Sequence, residues 1–183
     1  MTTILKLDDA IPDYLCDACI DYYEHAETYN LNELNSNNVS GFGTYENTID
    51  HRLVQDIHEA FTKVMMEYLK MVPTFKSNGC TGYQIRKIHG PTLYHWDDVF
   101  GGSNHHPRNL SVIAALNSDF EEGVFNFPQQ KYKTRLLRGQ AIAFPVYFTH
   151  PHEVSKPEGY RYTINTWATE QPRPFIPHGT HET

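Results

Sequence analysis

The stretch GQAIAFPVYFTHPHEVSKPEGYRYTINTWAT, Gly139 to Thr169, reads as three strands in succession, Gln140–Pro145, His152–Ser155 and Tyr160–Thr169. Each is a short run of β-branched and aromatic residues, and Pro, Gly and Ser separate them. Along the last strand, alternation sets Arg161, Thr163, Asn165 and Trp167 on one face and Tyr162, Ile164 and Thr166 on the other. Working outward, similar runs precede them at Gly82–His89, Leu93–Asp97, Leu110–Leu116, Gly123–Phe127 and Tyr132–Leu137. Eight short strands with turn residues between them predict a double-sheet jelly roll or barrel.

The region before Pro73 has a different period. Leu15, Cys19, Tyr22 and Tyr23 recur at helical spacing within Ile11–Tyr29, with Pro12 suited to a first turn. Leu53, Ile57, Phe61, Val64, Met65 and Leu69 form an apolar stripe over Asp50–Met71. Between these helices, Asn30–Tyr45 is rich in Asn, Ser and Gly and reads as a loop. Helices first and strands second predict an α+β fold. We expect one domain over residues 1–183: a helical support at 1–75, a β-core at 76–170, and an extended Pro-rich tail at 171–183.

The chain carries 39% hydrophobic and 20% charged residues, a globular balance. A net charge of -7 without a basic block argues against nucleic acid as a partner. No apolar run approaches the roughly 20 residues that span a bilayer, and no export signal is evident. With three cysteines, an odd and low count, a reducing, cytoplasmic setting is expected. Cys16 and Cys19 have CxxC spacing, but they lie on the apolar face of the first helix and read as core residues.

Most of the 11 histidines read as ordinary. His95 and Asp97 are two apart on a strand end, which turns both to one face about 6.5–7 Å apart. One ion can then take an imidazole and a carboxylate from a single segment. His152 opens a strand that a jelly roll can bring alongside. Two His and one carboxylate make the facial triad of non-haem iron oxygenases, although the ligand types alone do not exclude zinc. His150 is a rival for the third position. Arg161 lies nine residues past His152, across a turn at Lys156–Gly159 that is expected to close a hairpin. Its guanidinium is shaped to hold a carboxylate with two hydrogen bonds. The competing reading is a surface strand residue paired with Glu158.

Taken in order, these pieces resemble the prolyl 4-hydroxylase-like branch of the 2-oxoglutarate- and Fe(II)-dependent oxygenases. The motifs are His95-Trp96-Asp97, Leu116-Asn117, Gly123, Phe127-Pro128, Gly139 to Phe144, His152-Glu153-Val154, Gly159-Tyr160-Arg161-Tyr162 and Trp167. The resemblance implies a double-stranded β-helix with supporting helices. It implies iron ligation by His95, Asp97 and His152, which settles the choice against His150, and it gives the distal carboxylate of 2-oxoglutarate to Arg161. The reaction implied is hydroxylation of a C–H bond with release of succinate and CO2, with O2 as co-substrate and ascorbate in support. Asp97 favours hydroxylation, since related halogenases have Ala or Gly there. By the same analogy the substrate is a prolyl residue of a peptide or protein, with a free amino acid or small metabolite as the alternative.

Relatives often carry tyrosines where this chain has Ile88 and Ala115, which are expected with Trp167 on the pocket wall. Tyr83 or Tyr94 is then expected to supply the missing phenol, with Thr163 and Asn165 beside the co-substrate. The rival classes are a cupin-like metalloenzyme that does not use 2-oxoglutarate and a non-enzymatic ligand-binding jelly roll. Neither needs this combination of triad and Arg161.

Overall fold

A computed structural model describes residues 3–25, 31–33, 39–44, 49–97 and 107–170. The expected tail at 171–183 lies outside them. Two helices, α1 (Asp13–His25) and α2 (His51–Met71), pack on one side of a curled antiparallel sheet.

The strands are β1 (Leu5–Leu7), β2 (Leu31–Glu33), β3 (Val39–Thr44), β4 (Gly79–Cys80), β5 (Gln84–His95), β6 (Arg108–Ala115), β7 (Glu121–Glu122), β8 (Phe125–Phe127), β9 (Tyr132–Thr134), β10 (Ala141–Pro145), β11 (His152–Val154), β12 (Pro157–Glu158) and β13 (Arg161–Thr169). Their order is β1-β10-β6-β13-β5-β11-β8-β9, with β3 also on β5 and β4 on β13. The short pair β12–β7 stands apart.

β5 is the shared element. Its first half pairs with β13, from Gln84↔Asn165 to Ile88↔Arg161. Its second half pairs with β11, at Thr92↔Val154 and His95↔His152. One strand therefore joins the two layers of the roll. The sequence reading broke it at Gly90-Pro91, but the strand runs through. Residues 89–91 lie between the two ladders, and the β3 register also shifts there, so the N–H that Pro91 lacks is not needed.

Alternation divides two cores. Val112, Ala114, Ala141, Ala143 and Ile164 face the helices with Leu15, Cys19, Ile57, Phe61 and Val64. Ile113, Ala115, Ile142 and Phe144 face the inside of the roll with Phe125, Phe127 and Val154. A residue's parity on its strand thus decides whether it supports the helices or lines the interior.

Both helices form within the expected spans, and residues 26–29 of the first lie outside the described residues. Asp50 caps α2, accepting from Arg52 N at 2.9 Å and Leu53 N at 3.3 Å. Ile57, Phe61 and Val64 are fully buried, each contributing about 1.5–3 kcal/mol by area. Cys16 and Cys19 are buried with free thiols, as core residues should be. Arg138, just before β10, bonds Asp13 at 2.9 Å and Asp17 at 2.7 Å and ties α1 to the roll.

Three expectations change. The N-terminal region is not helix alone: β1 pairs with β10, and the segment read as a loop contributes β2 and β3 to the sheet. Backbone pairing with β5 supplies the order that an Asn- and Gly-rich composition hides. Second, β11 and β13 form no hairpin. Both pair with β5, at opposite ends, and the connection through β12 crosses between layers. Third, β9 stops at Thr134, short of the expected Leu137. Among the described residues, no helix is long and apolar enough to cross a membrane.

Candidate active site

His95 ends β5 and Asp97 follows it by two, as an extended segment requires to turn both inward. The register His95↔His152 places the first residue of β11 opposite. The ligand atoms of His95, Asp97 and His152 all lie within 4.8 Å of one another. His95 Nε2 is 3.0 Å from Asp97 Oδ1.

The second ring nitrogens are held by backbone. His95 Nδ1 lies 2.7 Å from Leu93 O, and His152 Nδ1 lies 3.2 Å from His150 O. A carbonyl can only accept, so each Nδ1 carries the hydrogen and each Nε2 presents a lone pair in the neutral ring. For His95 that lone pair points at a carboxylate oxygen, an arrangement that a proton or a cation must bridge. The Ser111 hydroxyl donates to Asp97 Oδ2 and fixes the carboxylate. Two imidazole nitrogens and one carboxylate oxygen so oriented are a donor set that suits Fe(II).

Electrostatics agree with this orientation. For Asp97, burial opposes ionisation, but His95, His152 and Ser111 together hold its carboxyl well below the usual range. Burial alone would lower His95, yet bonding and attraction to Asp97 outweigh it and raise it. His152 is lowered, chiefly by burial against Phe127 and Phe144, whose rings lie 5.2 and 4.7 Å away. His150 turns elsewhere, its Nε2 2.9 Å from Thr3 Oγ1, so it does not join the cluster.

Arg161 begins β13 and lines the cavity that contains the triad. It is 5% exposed, and its Nε and Nη1 meet no hydrogen-bond partner. Burial first, and nearby Arg86 second, lower its pKa to about 10. A desolvated guanidinium with unused donors is unfavourable by itself and fits an anionic ligand. Gly123 backs it with φ +67°; a Cβ there would lie 2.9 Å from Phe120 and 3.5 Å from Arg161 Cδ.

Thr163, Asn165, Trp167 and Ile88 also line this cavity. Thr163 donates to Asn165 Oδ1 at 2.8 Å. Ala115 is buried in the neighbouring interior cluster with Ile113 and Phe125 and does not itself line the cavity. The two tyrosines are corrections. Tyr83 is buried on the helix side, its hydroxyl 2.7 Å from His58 Nδ1 and its ring against Phe61, because its parity is opposite to that of Ile88 and Arg86. Tyr94 is 52% exposed and outside the cavity, because it alternates with His95.

Sequence reasoning missed Arg86 and Ser111. Both were within reach of the alternation rule: Arg86 is two before Ile88 on β5, and Ser111 is four before Ala115 on β6. The open space between these side chains is about 40 Å³.

Residues 83–169 match the sequence profile of the 2OG-Fe(II) oxygenase superfamily. No curated protein sequence matches the chain significantly. Solved structures do. A viral collagen prolyl hydroxylase from Paramecium bursaria Chlorella virus-1, in its 2OG complex, aligns with TM-score 0.71 at 16% identity, over 91% of this chain and 96% of that one. A Pseudomonas putida prolyl-4-hydroxylase gives 0.71 at 12%, over 94% and 95%. A Trichoplax adhaerens prolyl hydroxylase, in complex with a hypoxia inducible factor oxygen degradation domain peptide fragment, gives 0.69 at 12%, over 92% and 84%. At these identities the likeness is one of fold, a double-stranded β-helix with supporting helices.

Proposed function

We propose that this chain, whose residues 83–169 match the 2OG-Fe(II) oxygenase superfamily, is such an oxygenase, that His95, Asp97 and His152 hold Fe(II), that Arg161 holds the distal carboxylate of 2-oxoglutarate, and that the substrate is a prolyl residue of a peptide. The observation that carries this reading is Arg161: a buried guanidinium with two unused donors in the cavity that contains the triad.

When bound, iron supplies the oxidising chemistry: substrate, O2 and 2-oxoglutarate give hydroxylated substrate, succinate and CO2. The chain's own residues supply geometry. Leu93 O and His150 O fix the two imidazoles, and Ser111 fixes Asp97. Arg161 would orient the co-substrate through a two-pronged contact. Phe125, Ile113, Ile88 and Val154 form the apolar part of the cavity wall.

A peptide is favoured by the exposed side chains flanking the ligand segment, Leu93, Tyr94 and Trp96, each about half exposed. They offer apolar contact beside the triad. The fold likeness to prolyl hydroxylases, one of them bound to a peptide, points the same way. The test is incubation with Fe(II), 2-oxoglutarate and ascorbate against proline-containing peptides. A mass gain of one oxygen with equimolar succinate is expected. Succinate without any oxidised peptide would redirect the search to small molecules, and no 2-oxoglutarate consumption would overturn the reading.

A further inference from the structure

A second arginine shares the cavity. Arg86 stands on β5 opposite Thr163 and lines the same space as Arg161 and the triad. Its Nε donates to Gln84 Oε1 at 2.6 Å, a neutral acceptor. Among the described residues, no carboxylate forms an ion pair with it. Its guanidinium lies 5.3 Å from the centroid of the Trp167 ring, and that of Arg108 lies 3.8 Å from the same centroid. A cation within about 6 Å of an indole face is attracted to it, which helps to hold Arg86 at the cavity.

Among the described residues lining the cavity, Asp97 is the one carboxylate, against two arginines. Resting on the reading above, Fe(II) and both arginines bring four positive charges, while Asp97 and 2-oxoglutarate bring three negative ones. The remaining positive charge is Arg86. Arg86 is partly buried, and a partly desolvated cation without a counter-charge is unfavourable. Arg161 already offers two unused donors for the co-substrate, so Arg86 is left for the other reactant.

We propose that Arg86, beside Trp167, binds a carboxylate of the oxidised substrate, so that the substrate is an acid with its anionic group close to the reacting C–H bond. Two sources share this chemistry: the α-carboxylate of a free amino or imino acid, and an acidic side chain beside the target residue of a peptide.

The test uses Fe(II)-loaded protein under anaerobic conditions with saturating 2-oxoglutarate. Calorimetry compares L-proline with L-prolinamide, and acetyl-Glu-Pro-Gly-amide with acetyl-Gln-Pro-Gly-amide. In one pair the acid should bind about 10- to 100-fold more tightly than its amide, the range expected of a charge-assisted contact. Arg86→Gln should erase that preference and leave 2-oxoglutarate affinity within about twofold, and Arg86→Lys should keep part of it. The responding pair identifies the source. Equal binding of acid and amide in both pairs overturns the proposal, as does a loss of 2-oxoglutarate affinity in Arg86→Gln matching that in Arg161→Gln. Failure of the wild type to bind 2-oxoglutarate would instead sink the oxygenase reading. In that case an Arg86-dependent acid preference still upholds the anion subsite, and its absence overturns it.

Discussion

His152 sits opposite His95 in the β11–β5 ladder, with ring centroids 4.5 Å apart. Two candidate ligands 57 residues apart in sequence are thereby brought together by backbone register. Replacing either with Ala should abolish stoichiometric Fe(II) binding while the far-ultraviolet circular dichroism stays native. Metal analysis after anaerobic loading checks this, and full iron occupancy in both variants would contradict the assignment.

Ser111 would act on a bound iron through its hydrogen bond to Asp97, so its loss should be milder. Ser111→Ala should weaken Fe(II) binding about 10- to 100-fold, the usual cost of losing a partner that orients a ligand. A competition titration with a chelator measures it, and an unchanged affinity would show that the carboxylate needs no such support.

Arg161→Ala should raise the KM for 2-oxoglutarate by at least about tenfold and leave Fe(II) affinity unaltered, since a charged two-pronged contact is lost. Arg161→Lys should recover only part, because an ammonium cannot reproduce the planar fork. Equal loss of metal and 2-oxoglutarate binding would assign Arg161 to folding instead.

Phe61 is fully buried between α2 and the sheet, 5.3 Å from the Tyr83 ring. Phe61→Ala should cost about 3–5 kcal/mol of stability. Denaturant unfolding should show the midpoint falling with little change in slope, and a loss below about 1 kcal/mol would mean the core closes over the gap.

Burial pushes the Cys16 thiol up to about 11 and Cys19 higher still. At pH 8, a thiol reagent should therefore label Cys80, which is partly exposed, and spare the other two. The raised values also set a sign. The folded state holds these protons more tightly than the unfolded state, so their contribution is complete below pH about 9 and falls as pH rises toward 11. The loss is up to about 1.4 kcal/mol per pH unit for each thiol. Cys16→Ala with Cys19→Ala should flatten the alkaline limb of stability against pH, and an unchanged limb would rule the thiols out.

Period and punctuation in the sequence determined a good deal by themselves. Helical spacing marked α1 and α2, and period-two runs marked most strands of the roll. Alternation along β13 set Arg161, Thr163, Asn165 and Trp167 on one face, and the structure finds all four at the cavity. These properties are local, because side-chain direction follows from the backbone period within one element.

What only the tertiary structure decided concerns partners. The Gly90-Pro91 pair looked like a break, yet β5 runs through it because its ladder changes from β13 to β11 at that point. Tyr83 and Tyr94 had the right chemistry, but their parity sends one to His58 and the other to solvent. Arg86 gained meaning only when cross-strand register brought it into the cavity with Arg161, where among the described residues it forms no ion pair. A sequence fixes which way a side chain points along its own strand, whereas strand pairing fixes what it meets, and the chemistry of this site lies in those meetings.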